Sequence, residues 1–233
     1  MNKISQAIIM CGGKGTRISK VTKNLIPKSL ISFNQKPFLE ILINKISNIG
    51  IKKIILCTGY LSNQIEKFIE AYQLNHQDLN LLISYENTAM GTAGSLKLAT
   101  KFIDNNSSII LNGDTYVNYN LKKYIYWHQL NNYEISIMLS FIFNSSKFGS
   151  VKIKNSKVLS FEEKKEKYFK YVYNGVFISK NKHLDKLQLQ FSNVEDTLFQ
   201  DNLSRLYGYK SFSRFYDIGT LEGYLRAKKY LIF

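Results

Sequence analysis

Cysteine and proline are nearly absent from this chain of 233 residues, with two of each. Cys11 and Cys57, each closing an apolar run, cannot build a disulfide framework or a Cys-rich zinc site, so they read as small buried thiols. Pro27 and Pro37 mark no Pro-rich linker, and neither an internal repeat nor a low-complexity tail is visible. No stretch approaches the ~18 uninterrupted apolar residues of a membrane-spanning helix. The run from Ala7 to Cys11 is too short for the apolar region of a signal peptide. A cytoplasmic protein with no membrane partner is expected. His76, His128 and His183 have neither metal-ligand spacing nor triad context, and no role is assigned to them.

Acidic side chains are also scarce, 17 against 32 Lys and Arg, for a formal net charge of +15. Such a balance raises nucleic acid as a partner, because cations bind phosphate backbones without reading sequence. Here the lysines are scattered among Asn and Ile, as AT-rich coding alone would leave them, so no nucleic-acid partner is expected. The charge still favours small anionic substrates. With 45% hydrophobic residues the chain can bury one good core. One domain over 1–233 is expected, in two parts of about 1–134 and 135–233, the second closing with a C-terminal helix.

The hydrophobic pattern alternates between strand and helix. Strands are read at Gln6–Met10, Lys53–Thr58, Asn80–Tyr85 and Ser108–Asn112, with helices at Phe38–Ile49, Ser62–Tyr72, Thr92–Ile103 and Leu121–Asn131. That alternation predicts an α/β fold with a mainly parallel sheet and helices on both faces. From Ile135–Phe143 onward short strands take over, at Gly149–Ile153, Val158–Glu163 and Tyr171–Ser179, with a turn at Asn155-Ser156. A β-rich lobe beside the main sheet is expected there, followed by a helix near Val194–Ser204, a strand near Leu206–Ser211 and a last helix from Leu221 to about Tyr230.

The first strand runs into Cys11-Gly12-Gly13-Lys14-Gly15-Thr16-Arg17, where glycines let backbone N–H groups approach an anion. The loop is neither a Walker A motif, since Gly15 stands where Ser or Thr is required, nor a dinucleotide fingerprint, since Ile18 replaces the third glycine. Arg17 and Lys28 follow as a pair of cations suited to a departing polyphosphate. Either alone could be a solvated surface charge. Asp114 follows Asn112-Gly113 at the end of a buried strand, where ligands of open α/β sheets bind, and Asp217 precedes the last helix. Hard carboxylate oxygens suit Mg²⁺ bound together with phosphates. A turn is the plainer reading of Asp114, and a helix cap that of Asp217.

Taken in order, Gly12-Gly13-Lys14-Gly15-Thr16-Arg17, Pro27-Lys28, Gly91-Thr92-Ala93-Gly94, Asn112-Gly113-Asp114, Glu162-Glu163-Lys164 and Asp217-Ile218-Gly219-Thr220 resemble the motifs of sugar-1-phosphate nucleotidyltransferases. The resemblance spans nearly the whole chain. It implies a Rossmann-like, GT-A-like nucleotidyltransferase fold, in which the sheet carries a small sugar-binding lobe, with the nucleotide-binding part over about 1–134 and the sugar-binding part and C-terminal helix over 135–233. The implied substrates are a nucleoside triphosphate and a sugar 1-phosphate. The sugar phosphate attacks the α-phosphorus in line, and no covalent enzyme intermediate forms. By the same resemblance Asp114 and Asp217 hold Mg²⁺, while Arg17 and Lys28 act on the phosphates. Cys11, Gly12, Gly13, Gly15, Thr16, Glu86, Gly91 and Thr92 bind the nucleotide. Asn112, Gly149, Glu163, Lys164 and Asn174 face the sugar phosphate, with Glu162 in place of Glu163 if the register is shifted by one.

Glu86 matches the position that faces the base. A carboxylate accepts hydrogen bonds and donates none, which suits the adjacent N1–H and amino group of guanine and not the lone imide N–H of uracil or thymine. GTP is therefore the expected donor. Among guanylyltransferases the chain most resembles the short D-glycero-α-D-manno-heptose 1-phosphate enzymes of surface polysaccharide synthesis, with mannose 1-phosphate enzymes next. The chain as given leaves no room for the left-handed β-helix of larger relatives, and a single activity is expected. Lys20, Ser29 and Tyr216 depart from the family pattern and bear on loop shape and substrate. Two rival readings are a nucleotidyltransferase for a non-sugar phosphate and a nucleotide- or nucleic-acid-binding module without turnover. A homo-oligomer is compatible with the sequence and not legible in it.

Overall fold

The computed structural model describes residues 4–104, 106–142, 149–162 and 170–231. Strand β1 (Gln6–Met10) is buried along its whole length. Ala7, Ile9 and Cys11 enter one apolar core while Ile8 and Met10 enter another on the opposite side. Such a strand, covered on both faces, is apolar from Ala7 to Met10, which is why it reads as a run and not as an alternation; the side chain of Gln6, buried at its start, is bonded to the backbone of Asp104. After it come a 3₁₀ turn (Thr16–Ile18), the one-turn helix α1 (Ser19–Thr22) and the small hairpin β2 (Ser32–Phe33) and β3 (Lys36–Pro37). Helix α2 (Phe38–Ser47) then buries Phe38, Leu39, Ile41, Leu42, Ile43 and Ile46. At roughly 1.5–3 kcal/mol for each fully buried large aliphatic side chain, this helix is a principal anchor of the first core.

Next along the chain are β4 (Lys53–Thr58), α3 (Ser62–Leu74), β5 (Asn80–Tyr85), α4 (Gly91–Ala99), β6 (Ser107–Asn112), β7 (Thr115–Val117), α5 (Leu121–Leu130) and β8 (Ile135–Ile142). The rest comprises β9 (Ser150–Lys154), β10 (Lys157–Glu162), β11 (Lys170–Lys180), α6 (Asn181–Leu184), β12 (Leu206–Ser211), β13 (Phe215–Asp217) and α7 (Leu221–Tyr230). Nine strands form one sheet in the order β5-β4-β1-β6-β11-β8-β12-β10-β9. The β5, β4, β1 and β6 pairings are parallel. Beyond β6 the sheet is mixed: β11 lies antiparallel between β6 and β8, and β12 runs parallel to β8. Residues from α2, α3, α5 and α7 cover one face, and residues from α4 and α6 the other.

The short strands expected as a β-rich lobe extend this same sheet, with β10 joining β12 through Lys157 and Tyr207. Asn155 and Ser156 between β9 and β10 both have positive φ, 47° and 64°, the geometry of a two-residue hairpin turn. The helix expected near Val194–Ser204 is instead a five-residue π-helical turn, Glu195–Phe199, with a separate 3₁₀ turn at Leu203–Arg205. The Phe199 amide donates to the carbonyl of Val194 at 2.9 Å. This wider spacing lets both Val194 and Phe199 face inward, where Phe199 meets Phe161, Tyr173 and Phe177.

Candidate active site

The loops after β1, β4, β5 and β6 gather at the carboxyl ends of the parallel strands. Chain order reverses between β1 and β6, where an open α/β sheet leaves a crevice for ligands. Gly113 sits in that crevice. Its amide donates to the carbonyl of Met10 at 2.9 Å, and a Cβ on it would lie 2.6 Å from that oxygen. Glycine is therefore required for Asp114 to emerge beside the first loop.

Asp217 reaches Asp114 by a device with no signature in the sequence. Strands β7 and β13 form a two-stranded ribbon in which Asp217 pairs with Thr115, and the amide of Ile218 donates to the carbonyl of Asp114 at 2.8 Å. A Cβ on Gly219 would lie 2.7 Å from Asp114 Oδ2 and 2.9 Å from Asp217 Oδ1. The two carboxylates therefore border one small space that glycine leaves open. Asp217 Oδ1 also accepts from the Gly219 amide at 2.9 Å. The cap of α7 is Thr220, whose hydroxyl accepts from Gly223, so Asp217 is not held in place as a helix cap.

The cations lie beside this pair. Lys28 Nζ is 2.5 Å from Asp114 Oδ2 with both side chains largely buried, and Arg17 Nη1 is 4.0 Å from Asp217 Oδ2 with its own side chain 67% exposed. Burial alone would raise the carboxyl of Asp114, but the charge and hydrogen bond of Lys28, helped by Arg17 and Thr115, hold it below the ordinary range. The carboxyl of Asp217 is pushed up, first by burial and then by the charge of Asp114. A buried carboxylate whose ionisation is opposed by a second one beside it would be relieved by a cation between them. Among the described residues no cluster of three or more His, Cys, Asp or Glu could hold a metal. Two carboxylates plus substrate oxygens are nevertheless the usual complement for Mg²⁺, so the residues fit that ion.

The first loop divides its labour. Gly13 and Gly15 have φ of 95° and 63° and supply conformation, while Thr16 and Arg17 are exposed. The thiol of Cys11 is buried and pushed up to about 12 by that burial, so it is a neutral core group, and its amide binds the carbonyl of Cys57 at 2.8 Å. Gly12 faces Glu86: a Cβ there would be 3.1 Å from Glu86 Oε1, and one on Gly59 would be 2.9 Å from the same atom. Glu86 is buried. Among the described residues its carboxylate is bonded by the Ser95 hydroxyl and paired with no cation. Neither Gly59 nor Ser95 was singled out in the sequence, where Thr58-Gly59-Tyr60 reads as an ordinary strand end and Ser95 as one more helical residue.

Gly91 and Thr92 are placed against the chain itself. The Ala93 amide donates to the carbonyl of Ser192, the Ser192 amide to that of Met90, and the Val194 amide to the Thr92 hydroxyl, at 2.9–3.0 Å. Gly91, at φ 67°, would meet the Ser192 carbonyl oxygen 2.3 Å from a Cβ, and Gly94 that of Gln190 at 2.5 Å. Segment 190–194 is thus a strap across the start of α4 and the loop before it, where the base is expected.

Where the sugar is expected, three residues of β11, Asn174, Gly175 and Val176, stand against the single Met138 of β8. This bulge puts Gly175 (φ 83°) where a Cβ would touch the Asn112 amide nitrogen at 2.9 Å. The Asn174 amide donates to the Ser140 hydroxyl at 3.0 Å, and its buried Oδ1 has no partner among the described residues. A buried acceptor left open costs free energy unless a ligand donates to it. Gly149 lies beside the carbonyl of Glu162, whose carboxylate accepts from Ser150 at 3.2 Å. Glu163 and Lys164 lie outside the described residues.

A two-sided α/β sheet with a glycine loop, paired carboxylates and two cations at its switch point defines an enzyme that handles nucleoside phosphates. The nucleotidyl transferase family model matches residues 6–232. The D-glycero-α-D-manno-heptose 1-phosphate guanylyltransferase of Campylobacter jejuni is 31% identical over 94% of this chain and 96% of its own. That of Aneurinibacillus thermoaerophilus is 30% identical over 97% and 98%. The crystal structure of HddC from Yersinia pseudotuberculosis superposes with a TM-score of 0.84 at 26% identity, covering 97% of this chain and 99% of its own. Its complex with GMP-PN gives 0.81. The chain belongs to the nucleotidyl transferase family, as a sugar-1-phosphate nucleotidyltransferase. No helix among the described residues is long and apolar enough to cross a membrane.

Proposed function

We propose that the protein transfers GMP from GTP to D-glycero-α-D-manno-heptose 1-phosphate, giving the nucleotide sugar and pyrophosphate for surface polysaccharide synthesis. The observation that carries the donor is Glu86, a buried carboxylate with, among the described residues, one hydroxyl partner and no cation. Its remaining acceptor positions suit two adjacent N–H donors, the edge that guanine presents. The acceptor sugar is supported by the two guanylyltransferases of that name, which align along nearly the whole chain.

In the reaction a phosphate oxygen of the sugar phosphate bonds to the α-phosphorus, the bond from that phosphorus to the β-phosphate oxygen breaks, and pyrophosphate leaves. Catalysis then rests on position and charge. Asp114 and Asp217 would hold Mg²⁺ in the space beside Gly219, and Lys28, now on Asp114, would turn to the phosphate near the reacting centre. When bound, the ion supplies positive charge to the triphosphate oxygens and helps to hold them in line. The exposed Arg17 and the amides of the first loop receive the departing charge. Asn174 Oδ1 is an acceptor for a sugar hydroxyl.

The test is pyrophosphate release with Mg²⁺ from GTP, ATP, CTP, UTP and dTTP, each against heptose, mannose and glucose 1-phosphates, with product masses. Release with GTP and the manno-heptose is expected. GTP with mannose 1-phosphate would discard the sugar and keep the base, and UTP or dTTP as best donor would discard the reading of Glu86.

A further inference from the structure

We propose that Ser95 is a positioning residue for donor selectivity: its hydroxyl fixes the plane in which the Glu86 carboxylate meets the base. The inference rests on the reading of Glu86 as the base-facing group.

Ser95 lies in the second turn of α4, half-buried, nine residues beyond Glu86. A serine inside a helix commonly turns its hydroxyl back to a carbonyl four residues earlier. Here it reaches across the loop instead and donates to Glu86 Oε2. The helix does not need serine at this position, since alanine is the stronger helix former. The bond therefore accounts for the residue better than local structure does.

What the bond supplies is orientation. The last torsion of a glutamate is broad and nearly two-fold, so packing of the stem leaves the carboxylate plane free to turn. Gly12 and Gly59 crowd Oε1 from the loops after β1 and β4, each with a Cβ position about 3 Å from that atom. Those walls restrict where Oε1 lies without donating to it through any side chain. Ser95 acts on the other oxygen and takes one of the carboxylate's roughly four acceptor directions. Enough remain for the N1–H and amino group of guanine, which both demand oxygens in the plane of the base. Without the hydroxyl, one of those two bonds is made at a poor angle.

The experiment compares Ser95→Ala, Ser95→Thr and Glu86→Gln with the wild type. It measures kcat and KM for GTP and for ITP, which lacks the exocyclic amino group, together with melting temperature. In Ser95→Ala the KM for GTP should rise more than kcat falls, and the GTP-over-ITP ratio of kcat/KM should drop about five- to tenfold, as expected for one weakened hydrogen bond to a charged group. Ser95→Thr, which keeps the hydroxyl, should restore most of that ratio. If Ser95→Ala lowers GTP and ITP use equally while Glu86→Gln collapses the ratio, Glu86 reads the base and the Ser95 inference is overturned. An unchanged ratio in both variants overturns the reading of Glu86 and the inference with it.

Discussion

Burial and the neighbouring charge of Asp114 raise the carboxyl of Asp217, whereas Lys28 holds that of Asp114 low against its own burial. The two therefore enter stability with opposite signs. A raised carboxyl pKa means that the ionised form costs the folded state stability at neutral pH; a depressed one means that ionisation contributes it. In metal-free protein Asp217→Asn should raise the melting temperature by roughly 2–4 °C, the shift that ~1 kcal/mol produces in a domain of this size. Asp114→Asn should lower it by roughly 4–8 °C, because the buried Lys28 loses its counter-charge at a cost on the order of 2 kcal/mol. Both variants should abolish turnover. Thermal melts with EDTA, beside pyrophosphate release, check both statements. Arg17→Ala should leave the melt unchanged, since so exposed a pair is worth little, yet reduce kcat by about 10²-fold if Arg17 stabilises the leaving phosphates. At this scale the charged residues were legible because their motifs are local. Gly59 behind Glu86 and Ser95 upon it were not, because each acquires meaning only from a residue distant in space or nine positions away.

At the scale of elements, the strap 190–194 makes Gly91 and Gly94 structural residues at the start of α4, where the base is proposed to bind. Gly91→Ala puts a Cβ into the Ser192 carbonyl at a positive φ, and should cost at least ~2 kcal/mol while raising the KM for the triphosphate. A normal melt and KM would show that the strap gives way. Helix α5 carries another consequence. His128 is buried with Nδ1 2.7 Å from the Ser136 hydroxyl, and burial, aided by Lys180, pushes its pKa down to about 4. Between the ordinary value of 6.5 and about 4, the unfolded chain takes up a proton that the folded one refuses, so stability is lost as pH falls through that window. Urea midpoints at pH 7 and pH 5 should converge in His128→Gln relative to the wild type. Strands β7 and β13, three residues each, escaped the sequence because that is too short for any period to show. Strands β1, β4 and β6 were plain, since burial along nearly their whole length leaves each with an unbroken apolar run.

The whole molecule is organised by one sheet, and what the sequence withheld is its order. Nothing local shows that β11 inserts between β6 and β8, because pairing across such distances depends on long-range packing and not on the strand's own residues. Because the sheet runs unbroken through the expected nucleotide and sugar parts, heat should unfold the protein in a single transition. Far-UV circular dichroism should then coincide with the fluorescence of Trp127, the sole tryptophan, which packs between Tyr133 and Tyr209. Two separated transitions would mean that the parts fold independently.

That inserted strand also decides how such enzymes can be recombined. A chimera joining residues 1–134 of one relative to the remainder of another would have to match not a linker but the seam from Leu111 and Val176 to Ser107 and Lys180. Asn112 and Gly175 lie side by side at the end of that seam. On the proposed reading of the site, donor and acceptor preference could then not be shuffled as cassettes, and a change of sugar would have to be introduced residue by residue around the bulge at Asn174.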